Sequence, residues 1–207
     1  MPRNRSRRDT NLRRRLAYDA ARMMAVDGVA DYATAKWKAA RQAGLEDANL
    51  LPDNQEIEAA LREYQGLYQK DDQPAQLRRL REVAVKVMRD FADFRPALVG
   101  SVLSGTASQH SDVNLQLFTD DSKALTIFLL NRRYRFEEGS KRVRRGERTE
   151  DVPRILIEVE GVPVTLTVLD RDDERVAAAR GSDDGPPLRA KLAEVEALLA
   201  RAEGAGA

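Results

Sequence analysis

No cysteine occurs among the 207 residues. Disulfides, thiolate metal sites and cysteine nucleophiles are therefore excluded together, and the chain fits a reducing compartment. Histidine is represented by His110 alone. No apolar run approaches the ~20 residues that span a bilayer. The opening MPRNRSRRDTNLRRRL is basic but has no apolar stretch or cleavage site behind it, so neither export nor membrane insertion is expected, and cytoplasm is the expected location. An excess of one charge is also lacking. Lys and Arg total 35 against 34 Asp and Glu, a formal net charge of +1, so distribution matters more than the total. One basic cluster runs from Arg3 to Arg15 and another from Arg132 to Arg148. Clusters of this kind attract phosphate or nucleic acid, and the second is the candidate nucleic-acid surface. The first reads as a disordered, solvated tail over residues 1–11.

What is present divides into two compositional halves. Leu12, Leu16, Ala20, Met23 and Met24 recur at helical spacing until Gly28. Asp31 is placed to cap a second helix with Ala35, Ala39 and Ala43 on one stripe and Gly44 as its stop. Asp53 and Glu56 form a capping box ahead of Ile57, Leu61, Tyr64 and Tyr68. Pro74 opens a fourth helix with Leu77, Leu80, Ala84, Val87 and Phe91 on one face, ending before Pro96. Residues 12–95 are thus expected to form a helical domain, with Tyr32 and Trp37 as helix-packing residues.

After Pro96 the pattern changes. ALVGSV and DVNLQLF are short and rich in β-formers, and they flank the turn-rich SGTASQHS. SKALTIFLLN reads as a helix, YRFEE as a strand, and RILIEVE with VPVTLTVL as a β-hairpin turning at Gly161 and Val162. RGSDDGPP reads as a linker, and LRAKLAEVEALLARA as an amphipathic helix carrying Leu188, Leu192, Val195 and Leu199. The expected fold class is α+β: an N-terminal helical bundle, a mixed-sheet αβ domain over 96–180, then a linker and C-terminal helix over 181–207.

The segment from Gly100 to Phe118 carries the chemistry. Gly100 and Gly105 have the spacing of a phosphate-binding P-loop, but Thr106 and Ala107 stand where Lys and Ser or Thr are required. That reading falls. Strand alternation puts Asp112, Asn114 and Gln116 on one face and Val113, Leu115 and Leu117 in the core. A Gly-Ser turn allows close backbone approach, and its N–H groups suit phosphate oxygens. Asp112 and Asn114 offer the hard oxygen donors that Mg²⁺ requires. The plain alternative is a turn in which both side chains bond nearby backbone, with His110 as an exposed loop residue.

The segment resembles the signature of the nucleotidyltransferase superfamily that includes DNA polymerase β and kanamycin nucleotidyltransferase. Gly100 and Ser101 match its Gly-Ser pair, Gly105, Thr106 and Ala107 its Gly-Thr-Ala, and Ser111-Asp112-Val113-Asn114-Leu115 its Ser-Asp-Ile-Asp-Leu. Ten residues separate Ser101 from Asp112. The resemblance implies a nucleotidyltransferase-like domain binding a nucleoside triphosphate with Mg²⁺. Gly100, Ser101, Gly105 and Thr106 would hold the nucleotide, Asp112 and Asn114 the metal, and Asp112, Asn114 and Thr165 would be the catalytic set. The pattern is degenerate. Asn114 stands at the second acidic position, and Val164-Thr165-Leu166 stands where the third carboxylate's Val-Asp-Leu is usual. Glu158, expected opposite Thr165 across the hairpin, is the candidate replacement charge. The implied protein is a nucleotide-binding one with weak or lost nucleotidyl transfer; the alternative is a regulatory or nucleic-acid-binding protein that keeps the fold. The whole chain also resembles small bacterial proteins joining DYATAKWKAA and ALREYQGLYQ helices to such a domain. LAYDAARMMAVDGVADYATAKWKAARQAGL is similar to the helix-turn-helix opening of tetracycline-repressor-type regulators.

Overall fold

The computed structural model describes residues 3–29, 31–45, 48–69, 72–145, 148–174 and 189–204. The expected linker at 180–187, and Leu188, lie outside the described residues. The chain divides into two compact units. One comprises Met1–Ala75 with Thr106–Ser111, and the other Gln76–Gly105 with Asp112–Ala207.

The first unit is helical. It contains α1 (Arg3–Val26), α2 (Tyr32–Gln42), a short 3₁₀ turn (Ala48–Leu50), α3 (Asn54–Tyr68) and the first turn of α4 (Asp72–Asp90). Helix α1 continues back to Arg3, through the segment that composition marks as a tail. Leu16, Ala20 and Met23 of α1 pack with Ala35 of α2 and Ile57 and Leu61 of α3. Asp31 accepts a hydrogen bond from the Thr34 amide at 2.7 Å. The capping box is complete, with Asp53 bonding the Glu56 amide and Glu56 returning to the Asp53 amide. Two stripes are displaced from expectation. In α2 the buried alanines are Ala35, Ala39 and Ala40 while Ala43 is exposed at the C-terminal cap, and Trp37 is exposed, not packed. In α3 the buried face ends on Gln65, and Tyr68 is 65% exposed.

The second unit holds the sheet. Its elements are the rest of α4, a 3₁₀ turn (Ala92–Phe94), β1 (Ala97–Val99), the short α5 (Ser101–Ser104), β2 (Val113–Phe118), α6 (Ser122–Asn131), β3 (Phe136–Arg145), β4 (Arg148–Val159), β5 (Val162–Leu169), a 3₁₀ turn (Arg171–Glu174) and α7 (Leu192–Gly204). The strands stand in the order β1-β2-β5-β4-β3, with β2 and β5 parallel and the other pairs antiparallel. The α+β layout is thus a helical N-terminal part, a mixed five-stranded sheet and a C-terminal helix. Several details differ from the sequence reading, among them the longer hairpin of β3 (Phe136–Arg145, against YRFEE) and β4 (Arg148–Val159, against RILIEVE). Only ALV of ALVGSV is strand, because Gly100 turns the chain directly into α5. Helix α7 begins at Leu192, because Ala190 is taken up in an isolated bridge to Leu98 at the edge of β1.

One sheet face carries the core residues Leu98, Val113, Leu115, Leu117, Val164 and Leu166, all fully buried. The opposite face runs from Asp112, Asn114 and Gln116 to Phe118 on β2, with Thr165, Thr167 and Leu169 beside them on β5.

Candidate functional site

The sharp feature is the end of β1. Val99 pairs with Asn114, and Gly100 then adopts φ 76° and ψ −156°, a conformation essentially reserved for glycine. A Cβ on Gly100 would lie 3.9 Å from the Asn114 Cβ and Nδ2. The turn that ends at Ser101 and the strand that carries Asn114 therefore meet backbone to side chain.

Neighbouring strands complete the arrangement. Asn114 and Thr165 are Cα partners on parallel β2 and β5. Asp112 precedes β2 and by alternation shares the face of Asn114. Burial raises the Asp112 pKa above its ordinary value, and the charge of Arg154 partly offsets this. Asn114 Nδ2 donates to the Asp112 carbonyl at 3.3 Å. Thr165 is only 6% exposed. Gln116 adds a group that the sequence reading placed on this face without a role: its Oε1 is buried with no hydrogen-bond partner.

Glu158 does not fill the missing acidic position. The hairpin turns at Glu160 and Gly161, closed by the Val159–Val162 pair, so Glu158 faces Pro163 and the partner of Thr165 is Leu156. The expected turn at Gly161 and Val162 was one residue too late, and that shift moves the cross-strand partner. Glu158 is also exposed and stands two strands from β2, about 10 Å at ordinary strand spacing. Two carboxylates so separated share no Mg²⁺.

Gly105 and Thr106 have packing partners of their own. Gly105 has φ 86°, and a Cβ there would meet Arg81 Nη2 at 3.7 Å and Leu77 at 3.9 Å. Arg81 was missed by the sequence reading. It is buried on α4, and its Nε and Nη2 donate to the carbonyls of Val102 and Leu103 at 3.1 and 3.4 Å, tying down the turn that follows Gly100. Its signal was legible: position 81 lies four residues after Leu77, on the apolar stripe of α4. In the helical unit, Thr106 is 2% exposed and its carbonyl accepts a bond from Gln65 Nε2 at 3.0 Å, while Gln73 Nε2 holds the Ala107 carbonyl at 3.2 Å. His110 is exposed, its ring lying against the Gly28 backbone and near Gln109 Nε2.

The donor set tests the fit to Mg²⁺. Asp112 supplies one carboxylate, while Asn114, Gln116 and Thr165 supply neutral oxygens. Among the described residues no group of three or more His, Cys, Asp or Glu is placed to hold a metal. Such a set fits one Mg²⁺ shared with phosphate oxygens and does not fit two ions bridged by carboxylates.

Over the described side chains of residues 132–143 the basic stretch is a mixed-charge surface. Arg132 lies 3.6 Å from Asp90 and Arg142 3.4 Å from Asp151, and Glu137, Glu138 and Glu150 interleave with the cations on β3 and β4. Among the described residues no helix is long and apolar enough to cross a membrane. No protein-family model matches the chain, and no curated protein matches it.

Proposed function

We propose that the sheet unit is a nucleotidyltransferase-like domain that binds a nucleoside triphosphate together with one Mg²⁺ and transfers nucleotide very slowly or not at all. The observation that carries this reading is the meeting of Gly100 with Asn114, beside Thr165 and after Asp112. A glycine-only backbone turn at a strand end leaves room for a phosphate where any side chain would intrude. Asp112 and the amide oxygen of Asn114 would supply ligands for the ion, and Arg81 keeps the Ser101–Ser104 turn in place by holding its carbonyls. Bound Mg²⁺ would screen the phosphate charge. With Asn114 and Thr165 neutral, no second carboxylate stands beside Asp112 among the described residues of the site to hold another ion or act as a general base. Loss of acid–base help alone costs ~10²–10⁴ in rate.

Calorimetric titration with Mg²⁺ and a non-hydrolysable nucleoside triphosphate tests the proposal. Wild type should bind the pair only when both are present, and Asp112→Ala should abolish the Mg²⁺ dependence. The double change Asn114→Asp with Thr165→Asp should tighten Mg²⁺ binding, because it adds two carboxylates to Cα partners on adjacent strands. A double variant binding no better than wild type would sink the placement of the site. The nucleic-acid alternative rests on the composition of 132–148. A salt-dependent shift with RNA or DNA, without Mg²⁺-dependent nucleotide binding, would favour it.

A further inference from the structure

We infer that the outer edge of β3 is a self-complementary surface on which a second copy of this chain pairs antiparallel, about a two-fold axis at Ser140, joining two sheets into one. It does not depend on the nucleotide reading. β3 ends the strand order, and among the described residues no strand lies on its outer side. An edge strand turns every second N–H and C=O outward, a template for another strand. Two devices that usually blunt such an edge are lacking: β3 contains no proline, and it pairs with β4 residue for residue from Phe136 to Arg145 with no bulge. Glu137, Glu138, Gly139, Ser140, Lys141 and Arg142 are all exposed, so the edge is open to a partner.

Charge is the device that remains, and its order decides which partner is admitted. Glu137 and Glu138 precede Gly139-Ser140, and Lys141 and Arg142 follow. An antiparallel copy reverses that order. With Ser140 opposite its own counterpart, Glu138 faces the partner's Arg142, Glu137 lies diagonal to the partner's Lys141, and the two-fold repeats both pairs. Centring on Gly139 exchanges the direct and diagonal pairs, so either symmetric register is complementary. A parallel copy in register would set like charges together. Within the chain Arg142 has Asp151 at 3.4 Å, whereas Glu137, Glu138 and Lys141 form no ion pair among the described residues.

The ribbon beyond the sheet supplies a second reason. β5 pairs with β4 only over Arg154–Val159, so Ser140–Arg145 and Arg148–Pro153 pair only with each other. A two-stranded ribbon is marginal by itself. In the dimer its outer strand would gain the partner's Phe136–Ser140, which is backed by the body of the partner's sheet.

Sedimentation of the full chain tests this. Wild type should form dimers that weaken as salt is added. Glu137→Lys with Glu138→Lys makes the edge cationic throughout, and Lys141→Glu with Arg142→Glu makes it anionic throughout. Each double variant should self-associate about tenfold more weakly or worse, because like charges then face each other, while thermal unfolding shows a folded chain. Mixed in equal amounts, the two should form a heterodimer. Hydrogen exchange needs no variant: the β3 amides of wild type should exchange more slowly as chain concentration rises. A wild type still monomeric at ~1 mM chain would overturn the inference. So would a dimer that both double variants retain, folded variants that stay apart when mixed, or β3 exchange independent of concentration.

Discussion

At the residue scale the candidate site is built from strain and desolvation, and both are measurable. Gly100 occupies a backbone region that costs an ordinary residue about 1–3 kcal/mol, while an added Cβ would find only ordinary contact with Asn114 at 3.9 Å. Gly100→Ala should therefore lower unfolding stability by that amount through the backbone, and urea denaturation would show it; a neutral result would mean that the turn relaxes freely. Asp112 is a carboxylate whose folded-state pKa is raised by burial. Below the ordinary carboxylate range both folded and unfolded chains hold the proton, and the group adds nothing. As pH rises through that range the unfolded chain releases its proton first, so ionisation destabilises the fold increasingly until the raised folded pKa is passed. Asp112→Asn should match wild type in strong acid and become more stable than it towards neutral pH, read from denaturation midpoints across pH.

At the element scale the decisive contact joins a long helix to a short one. Arg81 on α4 donates to two carbonyls of α5, a single turn with one fully buried apolar side chain, Val102. Arg81→Met keeps the apolar stem and removes both donors. Stability should fall by about 1–3 kcal/mol, and Mg²⁺-dependent nucleotide affinity should weaken with it; unchanged affinity in a destabilised but folded variant would separate Arg81 from the site. The elements also show what a sequence declares. The capping box of α3, the stripes of α1 and α4 and the alternation of β2 were legible because each is a local, periodic pattern. The bounds of α6 were legible for the same reason. Glu158 was misread because a hairpin register depends on which two residues make the turn, and Glu160, with φ 55°, takes a turn position that composition assigns more readily to Gly161 and its successor. The buried ends of α2 and α3 were shifted because Ala40 and Gln65 answer to tertiary neighbours rather than to period alone.

At the scale of the whole molecule the chain passes between its two units three times, after Ala75, Gly105 and Ser111. The third and second passages bracket the loop that separates the Gly100–Ser101 turn from Asp112. Within the helical unit that loop is fixed by Gln65 and Gln73, whose side-chain amides hold the Thr106 and Ala107 carbonyls, and Ala107 is fully buried. Fixing those residues removes chain entropy from the span between Ser101 and Asp112, on the order of 1–2 kcal/mol for each ordered residue. A fragment of residues 76–207 retains every strand but loses both glutamines. Its 106–111 amides should exchange with deuterium much faster than in the full chain. Gln65→Ala with Gln73→Ala in the full chain should reproduce the faster exchange in 106–111 while leaving the sheet amides protected. Exchange-coupled mass spectrometry on peptides spanning that loop reads both outcomes. Protection of 106–111 undiminished in the double variant would show that the two glutamines do not order the loop.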